Sequence, residues 1–333
     1  MKKILILGGT QFIGRNLVER LLEINEYDIT LFNRQRTGSH LFPEVNKLQG
    51  DRETNDVAQI SSQHWDYVID LSCYYPDSLS RVLDNLTDLD NYIFISTCSV
   101  YDSESDTRVL KNEQSKILSC TPDQKTDRTP ETYGNRKAEC ERILSNSGLP
   151  HLVLRPALVF GQYDTTDRLY YWLYQAREKK SLLLPEYGER VFSTTYVADL
   201  VETIIEVIQQ KVIHRTYNVV TNPKTSIRQI VDLAQQSFKT DFSIVNGAAE
   251  FLLSNNISQW TDMPLWIHGD HFTFSNDKLR NELAIGVTEF KDSIEATISY
   301  YNSLNWPKPE YGLSEHSRLE LIRKIRKSGQ QSL

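Results

Sequence analysis

The stretch KILILGGTQFIGRNL, Lys3–Leu17, decides how the rest of the chain is read. Four apolar residues, Ile4 to Leu7, run into Gly8 and Gly9, and a third glycine follows at Gly14. From Phe12 the apolar residues change to helical spacing, with Ile13, Leu17, Leu21 and Ile24 on one face. Strand, glycine turn and helix in that order look like the start of a nucleotide-binding βα unit. Gly9 and Gly14 have the spacing of a phosphate loop, but that loop continues with Lys and then Ser or Thr to hold phosphate and magnesium. Here Arg15 and Asn16 follow, so the phosphate loop is excluded. A dinucleotide turn and a plain strand–helix turn remain. In the first, Gly8, Thr10, Gln11, Phe12, Ile13 and Gly14 border a pyrophosphate, and the helix N-terminus supplies N–H donors. Gln11 stands where such a turn usually has its middle glycine. Its backbone is expected to avoid positive φ, with its side chain beside the pyrophosphate path.

The alternation continues outward. DITLF (28–32), DYVIDLS (66–72), NYIFIS (91–96) and HLVLRP (151–156) read as strands. PDSLSRVLDNL (76–86) and PETYGNRKAECERILSNS (130–147) read as helices, the second with Pro130 at its start and Gly148 past its end. Strands alternating with helices need crossover connections, so the fold class is α/β with a doubly wound parallel sheet. The dinucleotide-binding domain is expected over 1–156. A smaller substrate-binding region is expected over 157–333, with about 190–240 returning to the sheet. Helices are expected over 167–180, 197–210 and 226–238, strands over 216–220 and 242–245, and a basic amphipathic helix from Ser317 onward.

A net charge of -7 opposes nonspecific nucleic-acid binding, so no nucleic-acid partner is expected. No apolar run reaches the length of a membrane span, and MKKILIL ends too soon at Gly8 for a signal peptide. A cytoplasmic chain is expected. Cys73, Cys98, Cys120 and Cys140 lack metal-ligand spacing, so reduced structural thiols and no metal are expected.

The end of the second strand reports on the cofactor. An acidic residue there accepts bonds from the adenosine ribose and favours NAD. This chain has Asn33 followed by Arg34. An amide does not repel a 2′-phosphate, and a guanidinium grips one with two hydrogen bonds, which points to NADP, with NAD as the alternative. Arg36 and Arg15 are possible helpers. Further on, Tyr133 precedes Lys137 by one helical turn. A nearby ammonium stabilises a phenolate, which would let Tyr133 exchange a proton with a carbonyl or alcohol. With 17 tyrosines such a spacing arises about once by chance, so it gains meaning only from its place after a strand ending in Ser96, Thr97 and Ser99. Hydroxyls at the carboxyl end of a parallel strand point into the ligand crevice.

Taken together, GGTQFIG, Gly50–Asp51, FISTCSVY (94–101), Tyr133–Lys137 and LRPALVFG (154–161) resemble the extended short-chain dehydrogenase/reductases, the NAD-dependent epimerase/dehydratase family. The resemblance covers most of the chain and implies a Rossmann-like fold. It implies Tyr133 as catalytic acid or base, Thr97 as the hydroxyl that orients the substrate oxygen, and Lys137 on the nicotinamide ribose. It places Asp51 on the adenine, Leu71 and Ser72 along the adenosine and phosphate path, and Pro156 beside the nicotinamide. GQYDTTDRLYYW (161–172), WTDMPLWI (260–267) and GLSEHSRLELI (312–322) are similar to a bacterial reductase-like subgroup, akin to chloroplast stem-loop-binding proteins. The departures matter. Dehydratases of the family follow the threonine with Asp and Glu; here Cys98 and Ser99 follow, so dehydration is not expected.

For the substrate, Arg168 could bind a carboxylate or phosphate bidentately, with Asp164 beside it, or the two could simply order their loop. Trp172, Trp260, Trp266 and His268 either line a pocket for a ring or fill a core. The leading expectation is an NADP-dependent oxidoreductase acting on a carbonyl or secondary alcohol of a small, sugar-like or ring-bearing substrate. The alternatives are a nucleotide-sugar epimerase with tightly held NAD, and a non-catalytic cofactor-sensing or RNA-binding protein. The resemblance implies a monomer or homodimer.

Overall fold

The computed structural model describes residues 1–86, 88–105, 108–269 and 271–329. The chain divides into two units. The first comprises Met1–Val159, Thr195–Val220 and Phe274–Val287; the second comprises Phe160–Thr194, Thr221–Thr273 and Thr288–Leu333.

Seven strands form the sheet of the first unit: β1 (Lys2–Leu7), β2 (Tyr27–Asn33), β3 (Asn46–Gln49), β4 (Trp65–Asp70), β5 (Leu89–Ile95), β6 (His151–Pro156) and β7 (Arg215–Val219). Every pairing is parallel, in the order β7-β6-β5-β4-β1-β2-β3. The strands read as continuous apolar runs because both faces are covered. Ile4 and Ile6 of β1 face one core with Ile69, Ile93, Ile95, Leu152 and Leu154. Leu5 and Leu7 face the other with Val68, Tyr92, Phe94 and Val153. Helices α1 (Phe12–Ile24) and α4 (Val197–Gln209) close the first face through Leu17, Leu21, Leu200 and Ile204. Helices α2 (Pro76–Asp84) and α3 (Tyr133–Asn146) close the second through Leu79, Val82, Cys140 and Leu144. Each leucine, isoleucine or valine among them contributes about 1.5–3 kcal/mol on full burial.

The strand order reverses between β1 and β4, and there the carboxyl ends are level: Leu7 pairs with both Phe32 and Asp70. This register sets the glycine turn between the loops that leave β2 and β4, which is where doubly wound sheets bind ligands.

Three expectations change. The segment returning to the sheet is 195–220, not about 190–240; the helix Ile227–Phe238 and strand Ser243–Gly247 belong to the second unit. The first unit also takes residues 274–287, whose helix Asp277–Leu283 buries only Leu279 and Leu283 and so leaves little periodicity to read. Strand β3 was not anticipated; it is an edge strand with sequence NKLQ and no fully buried residue.

In the second unit, Ser181–Pro185 and Ser243–Gly247 pair in parallel, and Phe192 opposes Thr225 in an antiparallel pair. Helices Arg168–Glu178 and Ile227–Phe238 pack on each other, and Tyr170 stacks on Tyr301 with ring centroids 3.7 Å apart. The basic helix expected from Ser317 spans Glu315–Lys327; residues 330–333 lie outside the described residues. Among the described residues, no helix is long and apolar enough to cross a membrane.

Candidate active site

The glycine turn is built for close backbone approach. Gly8 and Gly9 have φ of +119° and +99°, conformations that side chains disfavour. A Cβ on Gly14 would stand 2.7 Å from the Gly9 Cα, so the helix can start against the turn only with glycine there. The Gly8 N–H donates to the Phe32 carbonyl (3.0 Å), and the Gly8 carbonyl accepts from the Asn33 amide (2.8 Å). Gln11 precedes α1 with φ -129°, as expected; the positive φ falls on Phe12 instead, at 32°. The Gln11 side chain does not cap the first turn of α1, and no acidic residue lies in that turn. Helix-end backbone donors that Gln11 does not cap, a positive helix end and glycines at positions 8, 9 and 14 together fit a pyrophosphate.

Asn33 does more than replace an acid. Its Oδ1 accepts from the Gln35 N–H at 2.9 Å while its Nδ2 holds Gly8, so the side chain ties the β2 loop to the turn. Arg34 is exposed and lies 3.8 Å from Asp51, a loose surface pair. Arg15, named above as a helper, pairs with Glu19 along its own helix at 3.0 Å. Leu71 and Ser72 border the turn: a Cβ on Gly8 would meet Leu71 Cβ at 3.6 Å and Ser72 Oγ at 3.8 Å.

At the other end of the crevice, α3 begins at Tyr133 and crosses the end of β5. Lys137 is buried, and its ammonium donates to the Ile95 and Cys73 carbonyls, each at 2.8 Å, over the Phe94 ring. The lysine therefore joins α3 to β5 and to the loop after β4. Thr97 lies two residues beyond Ile95. Its Oγ1 accepts from the Ser99 N–H (3.1 Å) and donates to Ser99 Oγ (3.2 Å), so the hydroxyl caps its own turn. Tyr133 lies one turn before Lys137, with its ring 6.2 Å from that of the exposed Tyr74. Gly134 makes this convergence possible. A Cβ there would overlap the Ser99 carbonyl oxygen and come within 2.9 Å of Leu118 Cδ1. Gly→Ala in a helix ordinarily stabilises by roughly 0.5–1 kcal/mol. At Gly134 the sign should reverse: Gly134→Ala should destabilise by about 1–3 kcal/mol, read by thermal melting, because the helix must back away from Ser99.

Ser96 does not point into the crevice. It is buried and donates to Glu141, which also pairs with Arg155. Pro156 is buried at the end of β6, and the next residue's N–H donates to Thr195 Oγ1 at 2.9 Å.

The tryptophan expectations need correction. Trp172 is buried in the second unit and donates its indole N–H to the Pro264 carbonyl at 2.6 Å; it is a core residue, not a pocket wall. Trp266 is buried as well, and both it and His268 bond the Glu186 carboxylate at 3.0 Å. Arg168 and Asp164 meet through Thr166, whose Oγ1 accepts from Arg168 Nε (3.0 Å) and donates to Asp164 Oδ1 (2.7 Å). These bonds through Thr166 order the loop. No metal was expected. One group among the described residues, His64, Asp66 and Asp90, brings ligand atoms within 4.8 Å; it is remote, at the amino ends of the strands, and His64 already pairs with Asp88.

The sequence reading missed Gly134 and the buried ion pair of Arg52 with Asp70 (2.6 Å). An acid inside the apolar run of β4 and a glycine inside a helical pattern were the available signals.

The family model that matches residues 4–220 describes the NAD dependent epimerase/dehydratase family. The chain belongs to this family. Relatives of this epimerase/dehydratase family member include the chloroplast stem-loop binding protein of 41 kDa b of Arabidopsis thaliana, 24% identical over 264 residues. That match covers 75% of this chain and 63% of the relative, so the chain spans less than two thirds of that protein. The N-acetyl-alpha-D-glucosaminyl-diphospho-ditrans,octacis-undecaprenol 4-epimerase of Escherichia coli O157:H7 is 23% identical over 257 residues, covering 70% and 72% of the two chains. Among solved structures, UDP-glucuronic acid 4-epimerase from Bacillus cereus, in complex with UDP-glucuronic acid and NAD, superposes with a TM-score of 0.70 at 18% identity. That superposition covers 91% of this chain and 99% of that one, and it shows the shared fold.

Proposed function

We propose that this family member is an NADP-dependent oxidoreductase that interconverts a carbonyl and a secondary alcohol on a small, sugar-like substrate. Asn33 carries the reading. The end of β2 has no carboxylate to accept ribose hydroxyls, and the amide that replaces it is turned to Gly8 and Gln35. The cation next to it, Arg34, is exposed at the rim. In this reading the Gly8–Gly14 turn and the α1 N-terminus hold the pyrophosphate. Arg34 takes the 2′-phosphate, Asp51 the adenine, Leu71 and Ser72 the path between, and Lys137 and Pro156 the nicotinamide end. When bound, NADP supplies or accepts the hydride. The chain's own part is the proton: the Tyr133 hydroxyl gives it to, or takes it from, the substrate oxygen. Lys137, anchored on two carbonyls, fixes its ammonium at the nicotinamide end, one helical turn from Tyr133. Thr97 and Ser99 orient the oxygen by exchanging their mutual bond for one to substrate.

The exposed Arg34 makes the cofactor claim testable. Titration with NADPH and NADH should show tighter NADPH binding. Arg34→Ala should weaken NADPH about tenfold or more, the size of charge-assisted bonds, and NADH hardly at all. Equal losses would contradict the role of Arg34.

A second reading, an epimerase with tightly held NAD, is favoured by the Asp51 carboxylate 3.8 Å from Arg34, which leaves the adenosine end less positive. The epimerases among the relatives support it too. NAD co-purifying with the protein, or tighter NADH binding, would favour this reading over the first.

A further inference from the structure

Beneath the crevice lies an ion pair that the chemistry above does not use. Asp70, the last residue of β4, is completely buried and accepts four hydrogen bonds. Arg52 approaches it with both terminal nitrogens (2.6 and 2.8 Å), Tyr92 with its hydroxyl (2.6 Å) and Ser72 with its backbone N–H (3.2 Å). Burial alone would raise the Asp70 carboxyl, but the Arg52 charge and the Arg52 and Tyr92 bonds outweigh it and hold it below the ordinary range. The carboxylate is thus saturated and its geometry over-determined.

Two of the three partners, Arg52 and Ser72, belong to different loops. Arg52 directly follows Asp51, which carries the adenine in the reading above. Ser72 belongs to the loop after β4, and its hydroxyl donates to the Leu7 carbonyl (3.1 Å), immediately before the glycine turn. The next residue, Cys73, gives its carbonyl to Lys137. A buried ion pair contributes little net stability relative to a well-packed apolar pair of similar volume. What it supplies here is a fixed separation between two loops.

We propose that Arg52 and Asp70 form a positioning unit for the adenosine half of the dinucleotide, setting the Asp51 loop against the Leu71–Cys73 loop before the cofactor arrives. The inference rests on the reading that a dinucleotide binds at the glycine turn. Such preorganisation adds affinity by removing the cost of ordering the loops on binding.

The test compares the wild-type chain with Arg52→Met/Asp70→Leu and with Arg52→Lys. Binding is titrated with NADPH, NADH and adenosine 2′,5′-bisphosphate, which carries only the adenosine half, and each protein is melted in parallel. The double variant should melt near the wild type while binding both NADPH and the bisphosphate about tenfold more weakly, a loss comparable to one or two hydrogen bonds. Arg52→Lys keeps the charge but not the two-pronged contact, and should fall between the two. If the double variant does not fold, Arg52→Lys decides: a several-fold affinity loss at unchanged melting supports positioning, and wild-type affinity overturns it. Folded variants that bind NADPH as the wild type does would also overturn it, as would a loss confined to NADPH that spares the bisphosphate. A wild-type protein that binds none of the three nucleotides would instead remove the cofactor reading itself.

Discussion

Tyr133→Phe is expected to lower turnover by about 10²–10⁴, the usual contribution of a positioned acid–base group, while NADPH affinity changes less than about twofold. The substitution removes one oxygen and keeps the ring beside Tyr74. Lys137 should not move, because its ammonium is held by the Cys73 and Ile95 carbonyls. A loss of turnover with intact cofactor binding would therefore place Tyr133 in the chemistry and not in the scaffold. The measurement is NADPH oxidation across a panel of carbonyl compounds and sugar nucleotides, paired with NADPH fluorescence titration. Undiminished turnover would mean that another group moves the proton. Parallel loss of cofactor binding would mean that the phenol is structural.

The second large effect concerns stability. Arg155 is buried at the end of β6, and its guanidinium bonds Glu141 through Nε (3.0 Å) and Nη2, and Tyr101 through Nη1 (2.9 Å). Tyr101 in turn donates to Asn218 of β7 (2.6 Å), and Ser96 donates to Glu141. The network joins α3 to β5, β6 and β7 directly below the Thr97 turn. Burial would lower the Arg155 pKa, but the Glu141 charge and its bonds outweigh that and hold it well above its ordinary value, so the guanidinium stays charged. Arg155→Met should destabilise by about 3–5 kcal/mol, because it leaves the Glu141 carboxylate buried without a countercharge. Thermal melting should register this as a drop of roughly 10 °C, at about 2–4 °C per kcal/mol for a domain of this size. Arg155→Met/Glu141→Leu should recover most of the loss, since an apolar pair of similar volume carries no stranded charge. A single variant as stable as the wild type would mean that water or another cation reaches Glu141.

Some of this could be read from the chain and some could not. The helix that starts the fold was expected from Phe12 to Ile24 and forms there, because its apolar face, Leu17, Leu21 and their neighbours, repeats with helical period. Strands β1, β4, β5 and β6 were legible as apolar runs because each packs on both faces. The edge strand β3 has neither face buried and left no pattern. Tyr133 and Lys137 could be paired by spacing, but the glycine between them carried the sharper information. Gly134 reports the contact with Ser99, a neighbour 35 positions away that no local pattern records. The tryptophans stayed undecided in the sequence for the opposite reason. A ring in a core and a ring on a pocket wall look alike in sequence, and the Pro264 carbonyl that receives the Trp172 N–H lies 92 residues further on.

The sequence by itself determined the doubly wound sheet and the glycine turn that follows its first strand. Periodicity, the glycine turn and the missing acid at Asn33 are local properties, set by steric and solvation rules that act over a few residues. Only the tertiary structure decided which polar groups are spent on one another. Asp70 with Arg52, Ser96 and Arg155 with Glu141, and Asn33 with Gly8 are partnerships between distant segments. A buried polar group must find its partner wherever folding brings one, and that choice is made in space, not along the chain.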